Sequence, residues 1–228
     1  TGKLEYAWQT SWGVSTRLIG ALVMVHGDDA GLRLPPKVAP IQTVIVPIWR
    51  KEEDRAAVQA FIGKVREALG DGIRVHVDDR DQYSPGWKYN EYEMRGVPVR
   101  LEIGPKDVAN QAVMSVRRDT RAKESIPLAQ LGERLPALLA DIQQGLFQQA
   151  LDHRTANTTL VHSLDEVIAH FAAEKRGFVA VPWDGSATFE AKVKEQTGAT
   201  LRCVPFDTER FASIAKDGHR VALFARSY

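Results

Sequence analysis

Apolar positions change their spacing several times along this chain of 228 residues, and each change marks an element. From Ser11 to Asp29 small and aliphatic residues alternate with glycines (Gly13, Gly20, Ala21, Leu22, Val23, Met24, Val25), which predicts a buried strand leading into a packed helix. About forty residues cannot bury such a surface alone, so this segment is expected to pack on further chain. Three prolines between Leu34 and Pro40 forbid helix and predict an extended linker, and a domain boundary is placed there. Next comes a β-rich run, Thr43 to Ile48. Glu52 to Leu69 follows with Val58, Phe61, Ile62, Val65 and Leu69 at helical spacing, then Gly70-Asp71-Gly72 and a second strand, Ile73 to Val77. That is one right-handed, parallel βαβ unit.

A polar loop (Asp78 to Pro85) precedes a shorter helix, Gly86 to Met94, and a strand, Val97 to Ile103. A Gly104-Pro105 turn then leads to a strand at Gln111 to Val116. From Leu131 to Arg154 aliphatic residues recur every three or four positions, predicting one long helix. A second unit begins near Thr155. Ser163 and Glu166 form a capping box, which predicts a helix to about Lys175. A strand (Phe178 to Trp183), a helix (Ser186 to Glu195), a strand (Ala199 to Phe206) and a closing strand (Arg220 to Arg226) complete it. The fold class is α/β: a small mixed-sheet domain, residues 40–154, followed by a small α/β domain, residues 155–228.

Lys and Arg total 30 against 29 for Asp and Glu, so the net charge is +1 and any nucleic-acid binding must come from a local patch. Apolar residues at 44% and charged residues at 26% are those of a folded globular chain. The single Cys203 excludes an internal disulfide and a four-cysteine zinc site. No apolar run approaches the roughly 20 residues of a membrane span, and no secretory signal is visible, so a soluble, cytoplasmic chain is expected. The chain opens at Thr1 rather than Met, which is the expectation for a piece of something longer.

Two stretches carry candidate chemistry. Arg17 follows Gly13 and Ser15 within an apolar run, where an unpaired buried cation would be costly. Placed this way an arginine can hold a triphosphate, while a snorkelling surface arginine is the plainer alternative. Between Trp87 and Lys123 eight cations (Lys88, Arg95, Arg100, Lys106, Arg117, Arg118, Arg121, Lys123) outnumber five carboxylates (Glu91, Glu93, Glu102, Asp107, Asp119), with Trp87, Tyr89 and Tyr92 at one end. Cations grip phosphates, rings stack bases and carboxylates read base amino groups, so this mixture suits single-stranded RNA; an ordinary solvated helix face and loop is the alternative. The six histidines form no HxxH or HxxxH pair and Cys203 has no CxxC partner, so no metal is expected.

Three separate blocks resemble a known family. Gln9-Thr10-Ser11-Trp12-Gly13-Val14-Ser15-Thr16-Arg17, Val25-His26-Gly27-Asp28-Asp29 and Ala39-Pro40-Ile41-Gln42 resemble the third signature motif and exit segment of prolyl-tRNA synthetases of archaeal/eukaryotic type. Asp78-Asp79-Arg80, Pro85-Gly86-Trp87-Lys88 and Glu102-Ile103-Gly104-Pro105-Lys106-Asp107 are similar to that family's anticodon-binding domain, and Thr197 to Phe206 with the terminal Ala225-Arg226-Ser227-Tyr228 to its C-terminal domain.

The resemblance implies a class II synthetase that activates proline with ATP and Mg2+ and esterifies tRNA(Pro). Residues 1–39 would then be the end of its antiparallel catalytic domain. Arg17 would contact ATP as the catalytic motif arginine, Gln9, Thr10 and Ser15 would line the adenylate pocket, and Trp12 and Gly13 would border proline. The first two class II motifs, which the family carries upstream together with its homodimer interface, would be required for activity, so these residues alone are expected to be inactive. Anticodon reading, of guanines, falls to Glu93, Arg100, Glu102, Lys106 and Arg117. Where many relatives place zinc cysteines, Asp184 and Phe189 stand here and the loop from Asp207 to His219 is short. The resemblance therefore implies no zinc, with Phe189, Trp183, Phe206 and Phe211 filling the volume and Asp184 capping the Ser186 helix or remaining in solvent. Tyr228 is a candidate second link to catalysis. The rival class is a free-standing, non-catalytic RNA-binding module.

Overall fold

The computed structural model describes residues 2–49, 51–206 and 208–227. Tyr228, and Asp207 at the start of the short loop, lie outside the described residues. The chain forms two compact units, one reaching to Phe147 and one starting at Gln148, so the division falls a few residues before Thr155.

The first unit opens with extended chain and a helix, α1 (Arg17–His26), that has no buried residue. The strand expected before α1 does not form: residues 4–15 carry no regular structure, and Trp8 and Trp12 are fully exposed. Without a partner strand, backbone donors stay with solvent, and the apolar face of α1 (Leu18, Ile19, Met24) stays open. The proline segment is not a free linker either. Pro35 and Pro36 are buried, and Arg74 donates to the carbonyls of Pro36 and Ala39 at 2.8 and 2.9 Å.

After it come β1 (Thr43–Pro47), α2 (Glu52–Leu69), β2 (Val75–Val77), α3 (Pro85–Met94), β3 (Val99–Ile103), α4 (Pro105–Asn110), β4 (Ala112–Arg117), β5 (Lys123–Pro127) and α5 (Leu128–Ala156). The sheet order is β2-β1-β3-β4-β5, with β2 and β3 parallel to β1 and the last two strands antiparallel. The expected βαβ unit is present, and α2 spans the predicted residues because its apolar stripe leaves only one face to bury. Ile45, Leu101, Ile103 and Val113 pack under α2 and the first half of α5, and each such side chain contributes about 1.5–3 kcal/mol of transfer free energy. Val44 and Val46 face the other way, under Tyr92 of α3.

Two elements here went unseen in the periodicity. Gly104-Pro105 reads as a turn, yet proline at the first position with the Asp107 carboxylate accepting from the Gly104 N–H at 2.8 Å starts a helix, α4. Strand β5 buries only Ile126, so its own pattern is weak and its pairing with β4 decides it. The segment between α1 and β1 runs against the end of α3. Leu32 N–H donates to Met94 C=O and Leu34 N–H to Gly96 C=O. Backbones approach so closely that a Cβ on Gly31 would lie 2.5 Å from Met94 Cα, and one on Gly96 2.5 Å from Leu32 Cβ.

The second unit holds β6 (Thr158–Leu160), α6 (Leu164–Ala172), β7 (Phe178–Trp183), α7 (Ala187–Thr197), β8 (Thr200–Cys203), a 3-10 turn (Glu209–Ile214) and β9 (Arg220–Ala225). Its sheet order is β6-β7-β9-β8, with β6 and β7 parallel and the rest antiparallel. The expected cap forms in part: Ser163 Oγ accepts from Glu166 N–H, while the Glu166 carboxylate accepts from His162 N–H, one residue before the cap. One sheet face packs Val179, Val181 and Phe224 under α6 and α7, and the other packs Ala180 and Leu223 against Phe211 and Ile214.

Candidate nucleic-acid interface

Helix α3 positions the interface. Ser84 caps it by accepting from Trp87 N–H, and Pro85 at its first position presets the helical φ. Its apolar Tyr92 anchors it to the sheet, and its polar residues then meet the side chains that β3 presents on that face, Arg100 and Glu102. Arg100 is the centre. Its guanidinium donates to Glu93 Oε1 at 3.0 Å and to Glu102 Oε1 at 2.9 to 3.0 Å, and lies 4.0 Å from the Tyr89 ring centroid. Burial, and next the Glu102 charge, push the Tyr89 phenol up to about 12, so that ring is a neutral stacking wall.

One cation against two carboxylates leaves this trio with a net negative charge. Arg100 uses one oxygen of each, so both carboxylates are oriented acceptors with capacity to spare. The Arg100 side chain is 10% exposed, Glu102 15% and Glu93 34%, so the arginine is the support and Glu93 the more accessible of the two carboxylates. Lys106 stands exposed in the first turn of α4.

Arg117 is not brought to this surface. It lies opposite Val99 in the β3–β4 register while Arg100 lies opposite Val116, which sends the two arginines to opposite faces. There it pairs with Asp119 and with Asp141 of α5. Its neighbour Arg118, which the resemblance left without a role, is almost wholly buried. It grips Asp28 through both terminal nitrogens at 2.9 and 2.5 Å and donates to the Glu93 backbone carbonyl at 3.0 Å. Hydrogen bonds from Arg118 hold the Asp28 carboxyl down at about 2. Ninety residues separate this pair in sequence, so no local signal reports it.

The residues expected around a nucleotide, Gln9, Thr10, Trp12, Gly13, Ser15 and Arg17, are all exposed, and Ser15 Oγ accepts from Arg17 N–H. Their amide, hydroxyl and guanidinium donors fit the chemistry of ATP phosphates and adenine. Gln9 to Ser15 are strung along chain without regular structure, however, and Arg17 opens α1, with all of them exposed.

In the second unit Asp184 accepts from Ser186 N–H at 2.8 Å, leading into α7, whose N-cap is Ser186 itself. That bond lowers the Asp184 carboxyl. Phe189 packs on Phe224, ring centroids 6.0 Å apart, and Trp183 joins the same cluster with its Nε1–H on Ser186 C=O. Phe211 is buried on the other sheet face, and Phe206 is fully exposed, so neither fills the same volume. Phe206 lies beyond the end of β8, past the shifted register at Leu201/Cys203, where no layer covers it. Among the described residues no three of His, Cys, Asp and Glu are gathered where they would hold a metal. Elemental analysis is expected to find no stoichiometric zinc, and chelator to leave the melting curve unchanged; a chelator-sensitive melt would overturn the apolar reading of Phe189.

Comparison with known proteins puts the α3–β3 surface inside a matched domain. Residues 42–138 match the family model described as anticodon binding domain, and residues 164–228 the one described as prolyl-tRNA synthetase, C-terminal. The proline-tRNA ligase of Chloroflexus aggregans is 48% identical over 99% of this chain and 48% of its own length. That of Lachnoclostridium phytofermentans is 52% identical over 92% of this chain and 43% of its own. The prolyl-tRNA synthetase of Cryptosporidium parvum, solved with L-proline and AMP, superposes with a TM-score of 0.81 at 37% identity, covering 98% of this chain and 49% of that one. The chain thus spans about half the length of the curated relatives it matches. No described helix is long and apolar enough to cross a membrane. With both matched domains in succession and relatives of one name across its length, the chain belongs to the prolyl-tRNA synthetase family and carries its anticodon-binding and C-terminal domains.

Proposed function

We propose that the α3–β3 surface reads the guanines of the proline anticodon, as part of a cytoplasmic, homodimeric proline-tRNA ligase that uses ATP and Mg2+. The observation that carries it is one arginine holding two carboxylates, inside the matched anticodon-binding domain. A guanine unstacked in a loop presents N1–H and N2–H2 along its Watson–Crick edge, and a fixed carboxylate accepts both. Glu93 and Glu102 are the readers, Arg100 is a positioning residue, and Lys106 meets a phosphate or O6. Arg117 stays with Asp141. In the same proposal residues 1–39 belong to the catalytic part, with Arg17, Gln9, Thr10 and Ser15 toward ATP and Trp12 and Gly13 toward proline. The cofactor supplies the activated phosphate; the chain supplies donors and charge. A free-standing RNA-binding module is not favoured, since the relatives are named as ligases along their whole match.

The test is binding of an anticodon-arm hairpin carrying the two guanines against one with adenines there. Glu93→Gln and Glu102→Gln should each weaken guanine-arm binding by about 5- to 150-fold, the equivalent of 1–3 kcal/mol per base, with little change for the adenine arm. Equal affinity of the unaltered chain for both arms would overturn the reading.

A further inference from the structure

A second ligand position lies at the other end of α3. The sheet order β2-β1-β3 makes β1 and β2 adjacent parallel strands whose outgoing connections part: the β1 loop enters α2 on one face, and the β2 loop enters α3 on the other. In open parallel sheets such a divergence opens a crevice beyond the carboxyl ends of the strands, and ligands bind there. Here it is a cleft of about 240 Å3, whose walls include Pro47 at the end of β1, Trp49 from the loop after it, Arg80 and Tyr83 from the loop after β2, and Lys88 of α3.

The walls are aromatic and cationic, but the cations Arg55, Arg80 and Lys88 are each engaged. Arg55 lies 5.4 Å from the Trp49 ring centroid and pairs with Asp81 and Glu52. Arg80 lies 4.9 Å from the Tyr83 ring and pairs with Asp78 and Glu91. Lys88 is spent on Asp78. The first turn of α2 adds Glu52, Glu53 and Asp54. Among the described residues, a phosphate would meet this negative rim with no unpaired cation. A planar, neutral heteroaromatic ring would meet half-buried ring faces, made rigid on one side because Tyr83 stacks on Trp87 at 3.9 Å and 11°.

We infer that this crevice takes one unstacked base of the anticodon loop, held between Trp49 and Tyr83 by stacking. The occupant is RNA rather than a free nucleotide because α3 runs without a break from the crevice to Glu93, and its Glu91 joins Arg80 to that helix. This inference rests on the proposed anticodon reading, and it assigns the crevice a different task. Every base has a ring face, so stacking contributes affinity without identity, whereas Glu93 and Glu102 contribute identity.

The experiment uses the 228-residue chain with the guanine and adenine arms, and guanine arms made abasic at one loop position at a time. Trp49→Leu and Tyr83→Leu are expected to lower affinity for both arms by the same factor, about 5- to 150-fold. Tyr83→Phe, which keeps the ring, should bind like the unaltered chain, and circular dichroism of each variant verifies the fold. One abasic position should remove the effect of Trp49→Leu. Unchanged affinity in both leucine variants, a loss confined to the guanine arm, or binding of free AMP that competes with no RNA would each overturn the crevice assignment. Absence of arm binding by the unaltered chain would instead overturn the anticodon reading beneath it.

Discussion

Replacing Asp78 by alanine will destabilise the first unit by about 3 to 5 kcal/mol, the cost of removing one partner from a buried charge pair. The Asp78 side chain is wholly buried at the end of β2. It accepts from Arg80 at 2.7 and 2.8 Å and lies 3.6 Å from Lys88 Nζ, and Lys88 is itself only 5% exposed. Without the carboxylate, Lys88 keeps a single backbone carbonyl and a charge with no counterion. Lys88→Met in the Asp78→Ala background should recover part of the loss, because it removes the stranded charge. Chemical denaturation gives the answer, and a loss below about 1 kcal/mol would contradict burial of the pair. Burial pushes the Asp78 carboxyl up, but hydrogen bonds from Arg80 and the Lys88 charge more than offset it, from the ordinary 3.8 to about 2. A carboxyl lowered on folding stabilises fully above its unfolded value and loses that contribution as pH falls through the folded one. Stability of the unaltered chain should therefore fall between about pH 4 and pH 2, and Asp78→Asn should flatten that slope.

Phe224→Ala should cost the second unit a similar amount, about 3 to 5 kcal/mol, as a large cavity opens under two helices. Phe224 is fully buried on β9, opposite Val179 on one side and Leu201 on the other, with Phe189 against it. The prediction ties stability to the apolar contact at Phe189, the position where zinc-binding relatives are expected to carry a ligand. Phe189→Ala should cost less, since that ring is only partly buried. Denaturant titration with an unchanged m value would show the loss as stability alone, and a cost below about 1 kcal/mol for Phe224→Ala would place the core elsewhere.

Residues close in sequence reported their own burial well. The stripe of Val58, Phe61, Ile62, Val65 and Leu69 spans the helix that forms, and Ser163 caps α6 by accepting from Glu166 N–H. These signals are local because a helix or strand repeats faster than the chain changes partners. Alternation also placed Arg100 and Glu102 on one face of β3, two residues apart. What the sequence by itself determined was therefore the main helices and central strands, the parallel βαβ unit and the family resemblance, whereas α4, β5 and the open chain before α1 escaped it. The tertiary structure alone decided which charges meet. Strand register sent Arg117 to Asp141 and away from Arg100, the docking of α3 brought Glu93 to Arg100, and closure of the segment after α1 brought Asp28 to Arg118. It also left the face of α1 exposed where apolar pattern predicted cover, and Phe206 exposed where the resemblance implied packing. An ion pair imposes no periodicity on the residues around it, so its partner is chosen by register and packing, which no short window of sequence contains.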